Sequence, residues 1–310
     1  MIHVEHLQKS FGSVQAVKDI SFDVAKGEVV GLLGPNGAGK TTTMRILTGF
    51  LRADTGQITI DGVNVMEESR KVRQHIGYLP ENAPVYLDLE VTAYLSYIGT
   101  LRGIAKSELQ TRIRKMVEAC GLENVVGRII GQLSKGYRQR VGLAQAMIHE
   151  PKILILDEPT SGLDPNQIGE IRNVIRTLGR ERTVILSTHI LQEVEATCSR
   201  AMIISSGTLV GVGTIEELMR QGKGKVSYIV TAKAPRERIH EVFSKVKGVE
   251  FQEWMTSEDE SAQRFSLREL NGKNCAEEIF HAAVEGGFPL VELTRERASL
   301  EDVFRELTGA

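Results

Sequence analysis

One stretch of the sequence decides the fold: Gly34-Pro35-Asn36-Gly37-Ala38-Gly39-Lys40-Thr41-Thr42. It fits the pattern G-x-x-x-x-G-K-[ST] of a phosphate-binding loop, or P-loop. Residues 28–33 before it predict a buried strand, and residues 43–47 after it predict the start of a helix. A glycine turn between a strand and a helix N-terminus points N–H groups and the positive end of the helix dipole at an anion. The stretch therefore predicts a nucleoside triphosphate site, with Lys40 on the β- and γ-phosphates and the Thr41 hydroxyl on Mg²⁺.

The composition is that of an ordinary globular protein. The 310 residues suffice for one large domain or two ordinary ones. Hydrophobic residues make up 41% and charged residues 25%, which is enough for a buried core and a solvated surface. Lys and Arg number 38 against 40 Asp and Glu, so the net charge is −2. Because this charge provides no basic field, we expect no nucleic-acid partner.

The cysteines and the hydropathy exclude several other classes. Cys120, Cys198 and Cys275 are far apart, which supports neither a zinc site nor a disulfide framework, so we expect free thiols in a reducing cytosol. The N-terminus lacks the features of a signal peptide. No apolar run approaches the roughly 20 residues needed to span a bilayer. If the protein acts at a membrane, we expect a second chain to supply the membrane spans.

Hydrophobic periodicity predicts an α/β core around the P-loop. Apolar and polar residues alternate from residue 2 to about residue 30, which predicts antiparallel strands ahead of the loop. The continuous apolar runs 153–156 and 183–187 are typical of strands buried in a parallel sheet. Residues 165–178 between them have helical spacing, so strands and helices alternate along the chain.

Two further segments extend this core. Helical spacing from about 92 to 150 predicts a mainly helical insert, and we place this subdomain at about 88–150. The polar segment 220–225 predicts a hinge between a nucleotide-binding domain, 1–222, and a second domain, 223–310. The second domain has the order βαββαβ, followed by a last helix, which indicates a ferredoxin-like arrangement. The predicted fold class is α/β: a P-loop NTPase core with an antiparallel β subdomain and a helical insert, plus a C-terminal α+β ferredoxin-like domain.

Acidic residues and a histidine follow the two apolar strands. Asp157 at the tip of strand 153–156 is suited to hold Mg²⁺, and Glu158 is suited to orient and deprotonate an attacking water. Acidic residues often follow strands, but a P-loop in the same sheet favours the catalytic interpretation. His189 follows the strand 183–187, at the sheet edge where open α/β folds bind ligands. We predict that it hydrogen-bonds the γ-phosphate; the alternative is a histidine that only begins a helix.

Five motifs in order make the first 220 residues or so resemble the ATP-binding subunit of an ABC transporter. They are the P-loop (Walker A), the signature Leu133-Ser134-Lys135-Gly136-Tyr137, residues 153–158 (Walker B), the D-loop Ser161-Gly162-Leu163-Asp164, and the switch histidine in Ser187-Thr188-His189. The resemblance implies that ATP and Mg²⁺ bind between two such domains, head to tail. Ser134 and the Gly136 N–H would then contact the γ-phosphate on the other copy, and Asp164 would lie at the seam.

Two positions depart from the family pattern, and one aromatic residue matches it. Lys135 and Tyr137 replace Gly and Gln of the usual signature, and Lys135 either adds positive charge near phosphate or faces solvent. Glu81 stands where the family normally has a glutamine that contacts the metal. A carboxylate is a good ligand for a hard metal, so we predict that Glu81 contacts Mg²⁺; the alternative is a surface carboxylate. Phe11 lies where family members stack an aromatic ring on adenine, although it could instead be a core aromatic residue.

The resemblance implies a transport motor that works with an integral membrane permease. The signature, the C-terminal unit and the ending Leu300-Glu301-Asp302-Val303-Phe304 are similar to ATPases of bacterial ABC-2-type exporters, including gliding-motility and multidrug or antibiotic-export members. Such a motor would be cytoplasmic and peripheral on the cytoplasmic face of the cell membrane. The alternative is a soluble ABC ATPase acting on ribosomes or DNA. The tail from residue 226 would regulate the motor or mediate dimerisation.

Overall fold

The computed structural model describes residues 1–221, 227–257, 259, 261–270, 273–296 and 299–309. The chain forms two compact units, one of residues 1–215 with 307–309 and one within residues 216–306. The predicted domain boundary at residue 222 and most of the predicted hinge lie outside the described residues, so both stay predictions. No helix in the described ranges is long and apolar enough to cross a membrane.

The first unit alternates strands with helices, as the hydrophobic periodicity predicts. Its strands are β1 (Ile2–Phe11), β2 (Val14–Val24), β3 (Val29–Leu33), β4 (Thr55–Ile60), β5 (Val63–Asn64), β6 (Ile76–Leu79), β7 (Ile153–Asp157), β8 (Thr183–Thr188), β9 (Arg200–Ser205) and β10 (Thr208–Thr214). Its helices are α1 (Lys40–Leu47), α2 (Ser69–His75), α3 (Val91–Leu101), α4 (Lys106–Ala119), α5 (Lys135–Met147), α6 (Pro165–Gly179) and α7 (Leu191–Thr197). Helix α8 (Ile215–Gln221) follows β10.

These strands form one mixed sheet in the order β5-β4-β1-β2-β10-β9-β3-β8-β7-β6. The neighbours β9, β3, β8, β7 and β6 pair in parallel, whereas β1 pairs in antiparallel fashion with both β2 and β4. The parallel strands β7 and β8 are buried along their whole length, as expected for a sheet covered on both faces. The predicted P-loop core with an antiparallel β subdomain is therefore confirmed.

The helical insert consists of α3, α4 and α5. The apolar residues that recur at helical spacing on α4, among them Ile113 and Met116, are buried, and the polar positions between them are mostly exposed. Helix α5 packs against β6. This contact is close because β6 carries Gly77, where a Cβ would collide with the carbonyl oxygen of Ala146 on α5.

The second unit has the predicted βαββαβ order. Its elements are β11 (Ser227–Ala232), α9 (Arg236–Phe243), β12 (Val249–Met255), β13 (Gln263–Glu269), α10 (Ala276–Glu285) and β14 (Leu290–Glu296), followed by α11 (Leu300–Thr308). The strands pair in antiparallel fashion in the order β12-β13-β11-β14, which is the ferredoxin-like arrangement. Tyr228, Phe243 and Phe265 lie in a core of their own, so the predicted additional α+β unit is confirmed.

We predict that Gly77→Ala destabilises the protein, because the new methyl group must push α5 away from β6. Overpacking of this kind typically costs about 1–3 kcal/mol of unfolding free energy. Gly169→Ala on α6 is the matched control, since a Cβ there meets nothing within 4 Å, and we expect it to leave stability unchanged or raise it by about 0.5–1 kcal/mol. Urea unfolding measures both; equal stability of Gly77→Ala and the parent protein would contradict the packing described.

Candidate functional site

The P-loop connects β3 to α1 along a path that only glycine permits at two positions. Gly39 has a φ of +107°, and a Cβ on it would lie 2.5 Å from the carbonyl oxygen of Ala16. A Cβ on Gly34 would collide with the carbonyl oxygen of Ile204. The loop is thereby packed against the neighbouring strands, and its N–H groups lie at the N-terminus of α1, where an anion is stabilised.

Lys40 is the first residue of α1, and its side chain is buried, with 6% exposed. Its ammonium donates hydrogen bonds to the carbonyl oxygens of Gly34 (2.7 Å) and Pro35 (3.2 Å). It also lies 3.3 Å from Glu158 Oε1. The ammonium therefore lies within the loop, beside the position that the helix dipole favours for phosphate.

Asp157, the last residue of β7, gathers hydroxyl groups from two other elements. Its Oδ1 accepts hydrogen bonds from Ser187 Oγ (2.6 Å) and Thr41 Oγ1 (3.2 Å). Its Oδ2 is buried without a hydrogen-bond partner among the described residues. Burial raises the pKa of the Asp157 carboxyl, and the hydrogen bonds from Ser187 and Thr41 oppose that rise. An unpartnered carboxylate oxygen beside a hydroxyl suits a hard cation, so these residues fit Mg²⁺.

Glu158 is held between a cation and an imidazole. Its Oε2 lies 2.8 Å from His189 Nδ1, while its Oε1 faces Lys40. Its backbone adopts a left-handed φ of +46°, and its N–H donates to the Ser187 hydroxyl at 3.0 Å. A non-glycine residue in this conformation is uncommon and persists where the surroundings fix it.

A cleft of about 500 Å³ brings most of the predicted site residues together. Its lining consists of Phe11, Ala16, Asn36, Gly37, Ala38, Gly39, Lys40, Thr41, Thr42, Glu81, Glu158, Ser161 and His189. Phe11 is the last residue of β1 and has 51% of its surface exposed, so it is not a core residue. Glu81 reaches the cleft and accepts a hydrogen bond from Ser161 Oγ at 3.3 Å.

Six predicted residues do not line this cleft: Gly34-Pro35 and Asp157, which directly precede lining residues in the sequence, and the signature and D-loop residues Ser134, Gly136 and Asp164. Ser134 is the N-cap of α5, and its side chain accepts a hydrogen bond from the Tyr137 N–H. Asp164 is the N-cap of α6 and accepts from the Gln167 N–H at 2.9 Å. Gly136 is buried against Gln167, whose Oε1 would lie 2.6 Å from a Cβ at that position. Within one chain Ser134 and Asp164 each cap their own helix, and Gly136 of α5 packs against α6.

Sequence reasoning missed two hydroxyl residues. Ser187 bonds to Asp157 and to the Glu158 N–H, and Ser161 bonds to Glu81. Ser187 could have been found as a polar residue at the end of an otherwise apolar strand. Ser161 could have been found as a hydroxyl residue three positions after the predicted catalytic carboxylate Glu158.

Comparison with known proteins agrees with this geometry. The family model described as "ABC transporter" matches residues 17–161. The uncharacterised ABC transporter ATP-binding protein YxlF of Bacillus subtilis is 34% identical over 100% of both chains. The bacitracin transport ATP-binding protein BcrA of Bacillus licheniformis is 32% identical over 100% of this chain and 97% of its own.

Solved structures share the fold of the first unit. One described as the ATP-binding subunit of an ABC transporter has a TM-score of 0.65 and 29% identity, and covers 71% of this chain and 92% of its own. The ATP-binding cassette MJ0796, solved as a dimer in a post-hydrolysis state with ADP and Pi, has a TM-score of 0.64 and 23% identity, over 69% of this chain and 98% of its own. With relatives matched from end to end, this chain belongs to the ATP-binding proteins of ABC transporters, a family of ATPases.

Proposed function

We propose that the cleft hydrolyses ATP with Lys40, Glu158 and His189 as its catalytic residues. The observation that carries this proposal is the position of Glu158, whose two oxygens face His189 Nδ1 at 2.8 Å and Lys40 Nζ at 3.3 Å. When ATP binds, the Lys40 ammonium donates hydrogen bonds to phosphate oxygens in place of the loop carbonyls. The P-loop N–H groups donate to the remaining phosphate oxygens. Glu158 accepts the proton of the attacking water, and His189 donates a hydrogen bond to the γ-phosphate.

Mg²⁺ is the metal that these residues would hold. Thr41 and Asp157 supply hydroxyl and carboxylate oxygens, and the free Asp157 Oδ2 supports this assignment. Glu81 supplies a further carboxylate at the cleft wall. When bound, the ion neutralises negative charge on the triphosphate. The role of this chain is to present hard oxygen ligands at the end of β7, beside the P-loop.

Phe11 is proposed to stack on the adenine ring. It lines the same cleft as the P-loop and is half exposed, so its face is accessible to a base. Lys9 Nζ lies 5.6 Å from the ring centroid and adds a cation beside it. Stacking of a base on an aromatic side chain is worth about 1–3 kcal/mol.

A complete site is proposed to require a second copy of the domain. Ser134, Gly136 and Asp164 lie away from the cleft of their own chain, which supports a role in the cleft of a partner. The Ser134 side chain caps α5, so the N-terminus of that helix and its hydroxyl are placed together for a phosphate. The partner is a second copy or a paired ATPase subunit, arranged head to tail.

The ATPase is proposed to drive a separate integral membrane permease, as an exporter motor on the cytoplasmic face of the cell membrane. The similarity to BcrA, which is named for bacitracin transport, supports this role along the whole chain. The second unit, in the proposed domain 223–310 after the ATP-binding domain 1–222, would serve an accessory interaction. A soluble ABC ATPase acting on ribosomes or DNA is disfavoured, because the net charge of −2 provides no basic field for nucleic acid.

A groove on the first unit supports permease docking. A cavity of about 660 Å³ between the core and the helical insert is lined by three arginines, Arg45, Arg73 and Arg102. No carboxylate in the described part of the chain pairs with them, and burial lowers the pKa of Arg102, as does the charge of Arg73. Phe50 at the same groove is 76% exposed. We call this surface the arginine groove and propose that it receives an acidic, partly apolar segment of the permease.

We predict that Glu158→Gln lowers the ATP turnover rate by about 10²–10⁴-fold, because the amide cannot accept the proton of the attacking water. ATP binding should persist, since the P-loop is unchanged. Glu181→Gln, an exposed position, is the control and should retain full activity. Steady-state phosphate release and nucleotide binding by filtration measure the two quantities. Near-normal turnover in Glu158→Gln would exclude Glu158 as the base.

We predict that the double change Arg73→Gln, Arg102→Gln weakens binding to the co-expressed permease by about tenfold or more, because it leaves acidic groups of the partner unpaired. ATP hydrolysis by the isolated protein should stay unchanged. Arg114→Gln on α4 is the control, as that side chain is exposed. Co-purification from detergent extracts measures the loss; equal recovery of permease by both variants would contradict docking at the arginine groove.

A further inference from the structure

The D-loop lies between two side chains that both depart from the family pattern. On one side, Ser161 Oγ donates a hydrogen bond to Glu81 Oε1 at 3.3 Å. On the other, the Lys135 ammonium lies against Gly162, so close that a Cβ on this residue would collide with it. Gly162 has a φ of +67°. The missing Cβ therefore permits both the turn and the approach of the ammonium.

The same loop is joined to Glu158 by backbone hydrogen bonds. The Ser161 N–H donates to the Glu158 carbonyl at 3.1 Å, and the Leu163 N–H donates to the Thr160 carbonyl at 3.2 Å. Glu158 itself has a left-handed backbone conformation. A short, hydrogen-bonded turn thus connects Gly162 to the backbone of the proposed base.

Helix stability does not account for the presence of Lys135. It is the first residue of α5, directly after the N-cap Ser134. A cation at this end of a helix is opposed by the helix dipole, which favours acidic residues there. No carboxylate pairs with Lys135 among the residues that the structure describes. The ammonium instead faces the D-loop of its own chain.

We propose that Lys135 is a positioning residue for ATP hydrolysis, which holds the D-loop so that Glu158 and Glu81 keep their places in the cleft. This inference rests on the proposed role of Glu158 as the base. Lys135 does not line the cleft of its own chain, and its ammonium lies against the D-loop. We therefore expect its removal to slow the chemical step and to leave the affinity for ATP unchanged.

The test compares Lys135→Met with Lys106→Met in the full-length protein. Lys106 is also exposed and is the first residue of a helix, α4, so the two changes are matched in chemistry and helix position. We expect Lys135→Met to lower kcat about five- to tenfold with KM for ATP within about twofold of the parent. Lys106→Met should match the parent, and Lys135→Arg should recover most of kcat. The thermal unfolding midpoint should be equal in both methionine variants.

A double-mutant cycle with Ser161→Ala tests whether Lys135 acts on the cleft through the D-loop. If Lys135 acts through the loop, the two changes together lower kcat by less than the product of their separate effects. A wild-type kcat in Lys135→Met would overturn the inference, and so would a raised KM with kcat unchanged, which would indicate contact with the nucleotide. Glu158→Gln separates the two proposals. Normal turnover in Glu158→Gln refutes the proposal that Glu158 is the base. If Glu158→Gln is inactive but Lys135→Met is fully active, only the proposed role of Lys135 is refuted.

Discussion

The Lys40 ammonium joins the P-loop to the end of a strand more than a hundred residues away. It bonds to carbonyls of the P-loop and lies 3.3 Å from the Glu158 carboxylate. The sheet order makes this possible, because β8 lies between β3 and β7 with all three parallel. Their carboxyl ends therefore coincide, and Ser187 and His189, at the carboxyl end of β8, contact Asp157 and Glu158 at the end of β7.

Residues that act within one sequence motif could be predicted from the sequence. The P-loop, the carboxylates Asp157 and Glu158 and the histidine after β8 each carry their chemistry in a few consecutive residues, and hydrogen bonds and ion pairs bring them together at one edge of the sheet. The hydrogen bonds of Ser161 to Glu81 and of Ser187 to Asp157 could not be predicted, since each joins positions on separate elements. Their formation depends on which strands are neighbours in the sheet and where each strand ends, which a single sequence does not specify.

In the second unit, too, the elements follow from the sequence and the contacts between them do not. The spacing of apolar residues predicts its strands and helices, because each element buries one face. Its buried polar pairs were not predicted: the Tyr228 hydroxyl donates to Glu269 at 2.9 Å, and Arg295 bonds to the same carboxylate. These hydrogen bonds join three strands and compensate the buried charge of the Glu269 carboxylate. A sequence pattern records only that these residues are polar.

The central claim is that each ATP site combines the P-loop of one copy with the Ser134 helix end of another. Mixing Lys40→Ala with Ser134→Arg tests it directly, since each variant alone has no complete site. A two-fold dimer formed at random from the two variants should recover about a quarter of the parent's sites, all of them in mixed pairs. The account predicts that the mixture hydrolyses ATP at about this fraction of the parent rate, while each variant alone is inactive. An inactive mixture of folded, associating variants would contradict it, as would full activity of Ser134→Arg alone.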